Sequence, residues 1–319
     1  MVEAQRGTIG VVFPGQGSQE TGMGRDVAEN DRYASEIWEL AEKRSGAPLR
    51  EIFWEGDREA MTETRYQQPA LVAVSLTLWQ RLPSRLPVAA LAGHSVGEYA
   101  ALAAAGVLAV PDVIDLVCLR GRLMFEAGQS RAGKMAALLK LDQSAVQEIV
   151  DEAAASTAEE LCIANYNTPA QLVVSGSEEA VDLAMAKAKE RRGRPVQLPV
   201  SGAFHSKIME EPARELAAAM DSVDWHRPGI PVYFNVNASA ETDPDRIKAI
   251  MQRQMISPVK WSQTVETMWQ DGVRTWIEVG SKDVLTKMMR YNLAGKDGGW
   301  QAWSIGSLEA LEQTADISG

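Results

Sequence analysis

The pentapeptide Gly93-His94-Ser95-Val96-Gly97 constrains this chain more than any other feature. It follows directly on an apolar run at 88–92 that reads as a buried strand, and it opens a helix of small residues that stops at Gly106. A strand that turns into a helix within so few residues needs glycines, because a side chain there would strike the turn. The turn sets Ser95 at a helix N-terminus, where free N–H groups and the helix dipole favour a developing negative charge. The other reading is a plain strand–turn–helix connection with an incidental serine. In either case the chain must contain a sheet covered by helices.

The rest of the sequence supports this. Residues 9–13 form a short apolar strand that ends at Pro14-Gly15, and Gly15-Gln16-Gly17-Ser18-Gln19 can only be a loop. Pro69 reads as the first residue of a helix whose body, 70–79, is apolar nearly all round and therefore buried. Pro111 opens another helix, ending near Gly128, with Val113, Leu116, Val117, Leu123, Met124 and Ala127 on one stripe. From about Gly133 the order becomes strand 134–140, helix 144–155, strands 162–165 and 171–175, helix 178–191 and strand 196–200. That βαββαβ order describes a ferredoxin-like unit. The expected fold is therefore α/β: a core with a parallel sheet, formed by residues 1–131 and 199–319, carrying an inserted ferredoxin-like subdomain at 132–198. A helix is expected over 244–256, opened by Asp243-Pro244, and a late strand at 276–279. The tail after Ser307 is polar and carries no signal.

A nucleophilic serine needs a base, and the chain has only three histidines. His94 neighbours Ser95 and points elsewhere in such a turn, and His226 lies in the loop-like Trp225-His226-Arg227-Pro228. His205 follows the strand at 196–200 and the bend Ser201-Gly202-Ala203, and ligand sites collect at strand ends in open α/β sheets. Elimination assigns His205 as the group that takes the Ser95 proton.

Two polar residues sit where apolar ones belong. Arg120 falls on the stripe of its helix with Val113 and Val117, whereas Arg122 faces outward and can pair with Glu126. A buried charge without a partner costs several kcal/mol, so Arg120 must meet either an internal carboxylate or a ligand anion. Gln254 lies on the stripe Ile247, Ile250, Met251, Met255 and must be hydrogen-bonded inside, as glue between helix and loop or as part of a site.

Composition excludes several classes. With 319 residues, 45% of them hydrophobic and 24% charged, the chain can bury a full core. A net charge of −11 is a poor basis for gripping nucleic acid. Cys118 and Cys162 read as buried thiols in a reducing compartment, and neither has metal-ligand spacing. Residues 1–10 lack a signal-peptide pattern, and the longest apolar run, 99–110, is shorter than the roughly 20 residues needed to span a bilayer. These features point to the cytoplasm.

Taken together, the residues resemble the malonyl-CoA:acyl carrier protein transacylases of fatty acid synthesis and the acyltransferase domains of polyketide synthases. The resemblance runs from Phe13 to about Leu285. It is carried by Phe13-Pro14-Gly15-Gln16-Gly17-Ser18-Gln19, Gly93-His94-Ser95-Val96-Gly97-Glu98-Tyr99, Arg120-Gly121, Asn165-Tyr166-Asn167-Thr168-Pro169, Val174-Ser175-Gly176, Ala203-Phe204-His205-Ser206, and Gln254 followed by Ser257-Pro258-Val259. It implies an α/β-hydrolase-like core and a malonyl ester on Ser95, with His205 as base and then acid. The backbone N–H groups of Gln16 and Val96 would form the oxyanion hole, and a backbone carbonyl near Gln254 would orient the histidine. Arg120 would hold the malonyl carboxylate, with Gln68, Asn165 and Gln254 also at the substrate. Malonyl-CoA would be the donor, the holo acyl carrier protein the acceptor, no cofactor would be bound, and the enzyme would be a monomer. Val96 and the Ala203-Phe204 pair before His205 resemble the malonyl-selective form, although excluding one methyl is worth only about 1–3 kcal/mol.

Carrier proteins of this kind are acidic, and Lys187, Lys189, Arg191, Arg192 and Arg194 form a basic cluster that either docks the carrier or is a solvated helix end. A serine esterase or thioesterase would share Ser95 and His205, but it gives no reason for Arg120. A non-catalytic acyl-binding scaffold would need neither.

Overall fold

The computed structural model describes residues 8–200 and 202–317. The bend residue Ser201 and residues 1–7 of the N-terminal segment lie outside them. Ten strands are described: β1 (Thr8–Phe13), β2 (Val88–Gly93), β3 (Lys134–Leu139), β4 (Leu161–Thr168), β5 (Gln171–Gly176), β6 (Arg194–Gln197), β7 (Val232–Phe234), β8 (Ser239–Glu241), β9 (Val273–Val279) and β10 (Gln301–Ile305). They form a six-stranded sheet in the order β10-β9-β1-β2-β7-β8 and a four-stranded sheet in the order β4-β5-β3-β6.

In the larger sheet every pairing is parallel except β7 with the edge strand β8, so the sheet is mixed. Alternation along β1 explains why it is central. Ile9, Val11 and Phe13 join the core that contains helix Thr64–Arg81, while Val12 joins the one that contains Trp261, Met268 and Trp276. Side chains of a strand point to opposite faces in turn, and both faces here are dry.

The smaller sheet is antiparallel throughout. Helices Gln143–Thr157 and Glu178–Glu190 pack on one face through Val146, Ile149, Val181 and Ala184 against Ala136, Leu138, Leu172 and Val174. The alternate residues Met135, Ala137 and Val173 belong to the main core instead, so this sheet turns its second face toward the larger unit.

Several sequence expectations are corrected. Pro69 does not open a helix: it lies inside helix Thr64–Arg81, which is buried from Gln67 through Leu78. Its missing N–H leaves the Arg65 carbonyl without its usual partner four residues on. Gly121 packs against that stretch of backbone, where a Cβ would lie 3.0 Å from the Thr64 oxygen and 3.3 Å from that of Arg65. Burial of the whole helix offsets the lost bond. The strand expected at 196–200 is β6, which ends at Gln197. The Leu198 N–H still reaches the Met135 carbonyl at 2.9 Å, but Pro199 has no N–H to extend the ladder, and the side chains of Leu198, Pro199 and Val200 line a cavity. Helix Pro244–Gln252 stops short of 256 and tightens into a 3-10 turn at Gln254–Ile256. Ser257, preceding Pro258, is driven to an extended conformation. The polar tail contains helix Leu308–Glu312, capped by Ser307. Among the described residues no helix is long and apolar enough to cross a membrane.

Candidate active site

The turn after β2 is as tight as its glycines imply. A methyl on Gly93 would run into the backbone of Gly97, and one on Gly97 into the carbonyl of Phe13. Ser95 is held at φ 53°, a left-handed conformation uncommon for a residue with a side chain. Val96 follows as the residue before helix Gly97–Ala104. Gln16 comes from the loop after β1. Neither the Gln16 nor the Val96 N–H has a backbone acceptor among the described residues.

Ser95 Oγ lies 2.8 Å from His205 Nε2. The other ring nitrogen, Nδ1, is 2.9 Å from the Ser257 carbonyl and 3.3 Å from that of Gln254. Carbonyls only accept, so Nδ1 carries the proton and Nε2 is left to accept from the Ser95 hydroxyl. Burial, and then the positive charge of Arg120, pull the His205 pKa down to about 3, which keeps the ring neutral. Of the three histidines, His205 is the one whose ring meets Ser95 Oγ, whereas His226 is exposed on a loop. His94 turns its Nε2 to Asn167 Oδ1 at 2.8 Å, with its ring edge-on to Trp261.

Arg120 is fully buried. Its Nη1 donates to Gln68 Oε1 at 2.7 Å and its Nη2 to Ser95 Oγ at 3.2 Å, while Nε has no partner. Among the described residues no carboxylate lies within ion-pair distance of the guanidinium. Arg122 pairs outward with Glu126, as its position on the helix requires. Gln68 is also buried and holds Arg120 from behind; the wall of the cavity includes neither of them, nor Gln254, and Arg120 reaches the site only through its contact with Ser95 Oγ.

The cavity over Ser95 and His205 measures about 190 Å³. The larger unit contributes Gln16, Gln67, His94, Met124 and Phe204 to its wall, and the smaller sheet contributes Met135, Asn165, Asn167 and Val173. Irregular pairing of β4 with β5 around Asn165 and Tyr166 accompanies the placement of both asparagines at the cavity.

A buried neutral base on a serine hydroxyl, two free N–H groups beside it and a cation beneath can form and break an acyl ester. The sequence agrees with that chemistry: residues 11–315 match the acyl transferase domain family. The chain belongs to the acyl transferase domain family. Among relatives of this acyltransferase, the malonyl CoA-acyl carrier protein transacylase of Bacillus subtilis is 36% identical over 88% of this chain and 89% of its own length. The malonyl-CoA:acyl carrier protein transacylase structure from Xanthomonas oryzae superposes with a TM-score of 0.89 at 35% identity, covering 99% of each chain. A malonyl-transacylase solved in complex with its type II polyketide synthase acyl-carrier protein gives 0.88 at 32% identity, over 97% of this chain and 98% of that one.

Four features of this acyltransferase site escaped the sequence reading as site elements. Asn235, just beyond β7, accepts the Ser95 N–H at 2.8 Å and donates to the Gly93 carbonyl at 2.8 Å. It stands at a strand end next to β2, where ligand sites collect in open α/β sheets. Glu98 is fully buried, and burial raises its pKa to about 7 against the hydrogen bonds from Gln254 and Asn235. A charged residue inside an apolar helix is the same signal that marks Arg120. Gln67 accepts from Gln16 Nε2 at 2.7 Å. The Ser257 carbonyl has no signature in sequence. Both cysteine thiols are pushed up to about 12 by burial and are poor nucleophiles.

Proposed function

We propose that this enzyme transfers the malonyl group of malonyl-CoA to the phosphopantetheine thiol of an acyl carrier protein through a malonyl ester on Ser95. The observation that carries the reading is Arg120: a buried cation whose guanidinium touches the nucleophile and, among the described residues, has no carboxylate partner. The free carboxylate of a malonyl group supplies that partner, meeting the guanidinium where Nε is vacant and Nη2 holds only a hydroxyl. A serine hydrolase would leave this charge unexplained.

The steps follow from the site. His205 Nε2 takes the Ser95 proton as Oγ attacks the thioester carbonyl. The resulting oxyanion is held by the N–H groups of Gln16 and Val96. Collapse breaks the C–S bond, and the imidazolium returns its proton to the departing CoA sulfur. The carrier thiol then gives its proton to His205, and its sulfur attacks the ester. Ser95 leaves and recovers the proton. The Ser257 and Gln254 carbonyls orient the ring and offset its transient charge, in place of a triad acid. Gln68 positions Arg120, Asn165 lines the acyl cavity, and Gln254 braces the turn.

The same reading takes the fold as an α/β-hydrolase-like core, residues 1–131 and 199–319, with a ferredoxin-like subdomain at 132–198, acting in the cytoplasm as a monomer without a bound cofactor. The topological order of the smaller sheet supports the second label. For the carrier, the basic cluster narrows. Lys187 and Arg191 are paired with Glu148 and Glu152, which leaves Lys189, Arg192 and Arg194 for an acidic partner.

Intact-protein mass after brief mixing with malonyl-CoA tests the proposal. A malonyl adduct on the wild type, absent from Ser95→Ala and passed on to holo carrier protein, is expected. An enzyme that releases malonate to water and never loads the carrier would be a hydrolase.

A further inference from the structure

One buried carboxyl ties together groups that the mechanism treats separately. Glu98 Oε1 accepts the Asn235 N–H at 2.7 Å, and Oε2 accepts from Gln254 Nε2 at 2.6 Å. Each of those two residues grips the backbone of Ser95 from a different side. Asn235 Oδ1 accepts the Ser95 N–H at 2.8 Å, and Gln254 Nε2 also donates to the Ser95 carbonyl at 2.9 Å. Asn235 Nδ2 fastens the Gly93 carbonyl as well, and the main-chain carbonyl of Gln254 is one of the two that face His205 Nδ1. The strained serine is therefore held at both of its peptide groups by residues that share a single carboxylate.

We infer that Glu98 is a positioning residue for the acyl transfer proposed above, locking the left-handed backbone of Ser95 through Asn235 and Gln254 so that Oγ stays aligned with His205. Both bonds reaching Glu98 are donated to it, so the carboxyl must offer two accepting oxygens. A residue in the left-handed region persists only where its surroundings over-determine it, and here the surroundings are these four hydrogen bonds. Backbone relaxation at Ser95 would move Oγ away from Nε2, and small misplacements of reacting atoms are costly in rate.

Glu98→Gln tests this directly. It keeps size and removes one accepting oxygen, so an amide N–H2 must face either the Asn235 N–H or the Gln254 amide. Turning the Gln254 amide over to match would put its oxygen against the Ser95 carbonyl. The expected result is a fall of about 10- to 100-fold in kcat for Ser95 acylation, with KM for the donor little changed. Labelling of Ser95 by a fluorophosphonate, which needs no malonyl recognition, is expected to slow by a similar factor. A second variant, Gln254→Met, keeps the main-chain carbonyl at His205 and removes only the side-chain grip. It should show the same split between kcat and KM, and the double variant should be no slower than the slower single, because both cut one chain of bonds.

Wild-type labelling rates in a folded Glu98→Gln protein overturn the inference, as do losses that add in the double variant. If Glu98→Gln does not fold, a wild-type rate in Gln254→Met overturns it alone. Absence of a malonyl adduct on wild-type protein that still reacts with the fluorophosphonate would instead refute the substrate assignment and leave the positioning role standing.

Discussion

Ser95 and His205 meet at 2.8 Å, and both residues hold a left-handed backbone, at φ 53° and 57°. Ser95 and His205 are thus each kept in a conformation that costs roughly 1–3 kcal/mol for a residue with a Cβ. The strain places Oγ and Nε2 at the mouths of two turns that face one another.

That strain is measurable at Ser95. Ser95→Ala and Ser95→Gly both remove the hydroxyl, but only glycine tolerates the backbone angle. The glycine variant is expected to be more stable than the alanine variant by about 1 kcal/mol, in spite of its larger chain entropy. Thermal or urea unfolding of the two compares them directly, and an alanine variant of equal or greater stability would show that the turn is not strained.

Replacing Arg120 separates recognition from chemistry. Arg120→Ala should lower kcat/KM for malonyl-CoA by about 2–5 kcal/mol, the cost of stripping a buried charge pair of one member. Turnover of acetyl-CoA, which has no carboxylate, should suffer far less, so the preference between the two donors inverts. Equal losses with both donors would assign Arg120 to the turn and not to the substrate.

The pH dependence follows from two buried groups. With a pKa near 3, His205 is a ready base through the whole neutral range. Glu98, at about 7, is protonated as the pH falls through neutrality and then loses one accepting oxygen. The groups facing it are the Arg120 cation, the Tyr99 hydroxyl and the amides of Gln254 and Asn235. Ser95 acylation by a neutral donor should therefore decline as pH drops through about 7 in the wild type and stay flat there in Glu98→Gln. A wild-type profile without an inflection between about pH 5 and pH 8 would remove Glu98 from control of the rate. Stability has two opposed contributions. The unfolded chain protonates His205 below about 6.5 and the folded one only near 3, so this term weakens the fold as pH falls. Glu98 keeps its proton in the folded state between 4.5 and about 7, so its term weakens the fold as pH rises through that interval.

Reversing Lys189, Arg192 and Arg194 to glutamate should raise KM for the carrier protein several-fold and leave hydrolysis of the CoA thioester unchanged. An unaltered KM would move carrier docking to another face. Neutralising Lys187 or Arg191 should act mainly on the smaller sheet, since each ties helix Glu178–Glu190 to the helix beside it.

The parts legible in sequence were those whose cause is local. A strand followed by Gly93 and Gly97 needs no distant partner to mark a tight turn, and Arg120 stands out against its own helix. Pro69 carries no local sign that it lies inside a helix, because the burial that tolerates it comes from elements far along the chain. The apolar residues at 198–200 mimic a strand in sequence, but their side chains serve a cavity wall and Pro199 ends the ladder that β6 began at Arg194. Asn235 follows a strand of only three residues, too short for alternation to register. The carbonyls that orient His205 belong to backbone, which every residue has, so only the family resemblance points to one near Gln254, and it does not single out Ser257.

The two sheets divide the labour at the cavity. Serine, histidine, arginine and the free N–H groups come from the larger one and its helices, while Met135, Asn165, Asn167 and Val173 face them from the smaller. The side chains of Met135, Asn165 and Val173 line the cavity without a hydrogen bond to Ser95, His205 or Arg120, so exchanging them can re-tailor the accepted acyl chain while the proton-moving groups keep their partners. An architecture of this kind lets selectivity drift while reactivity is held fixed.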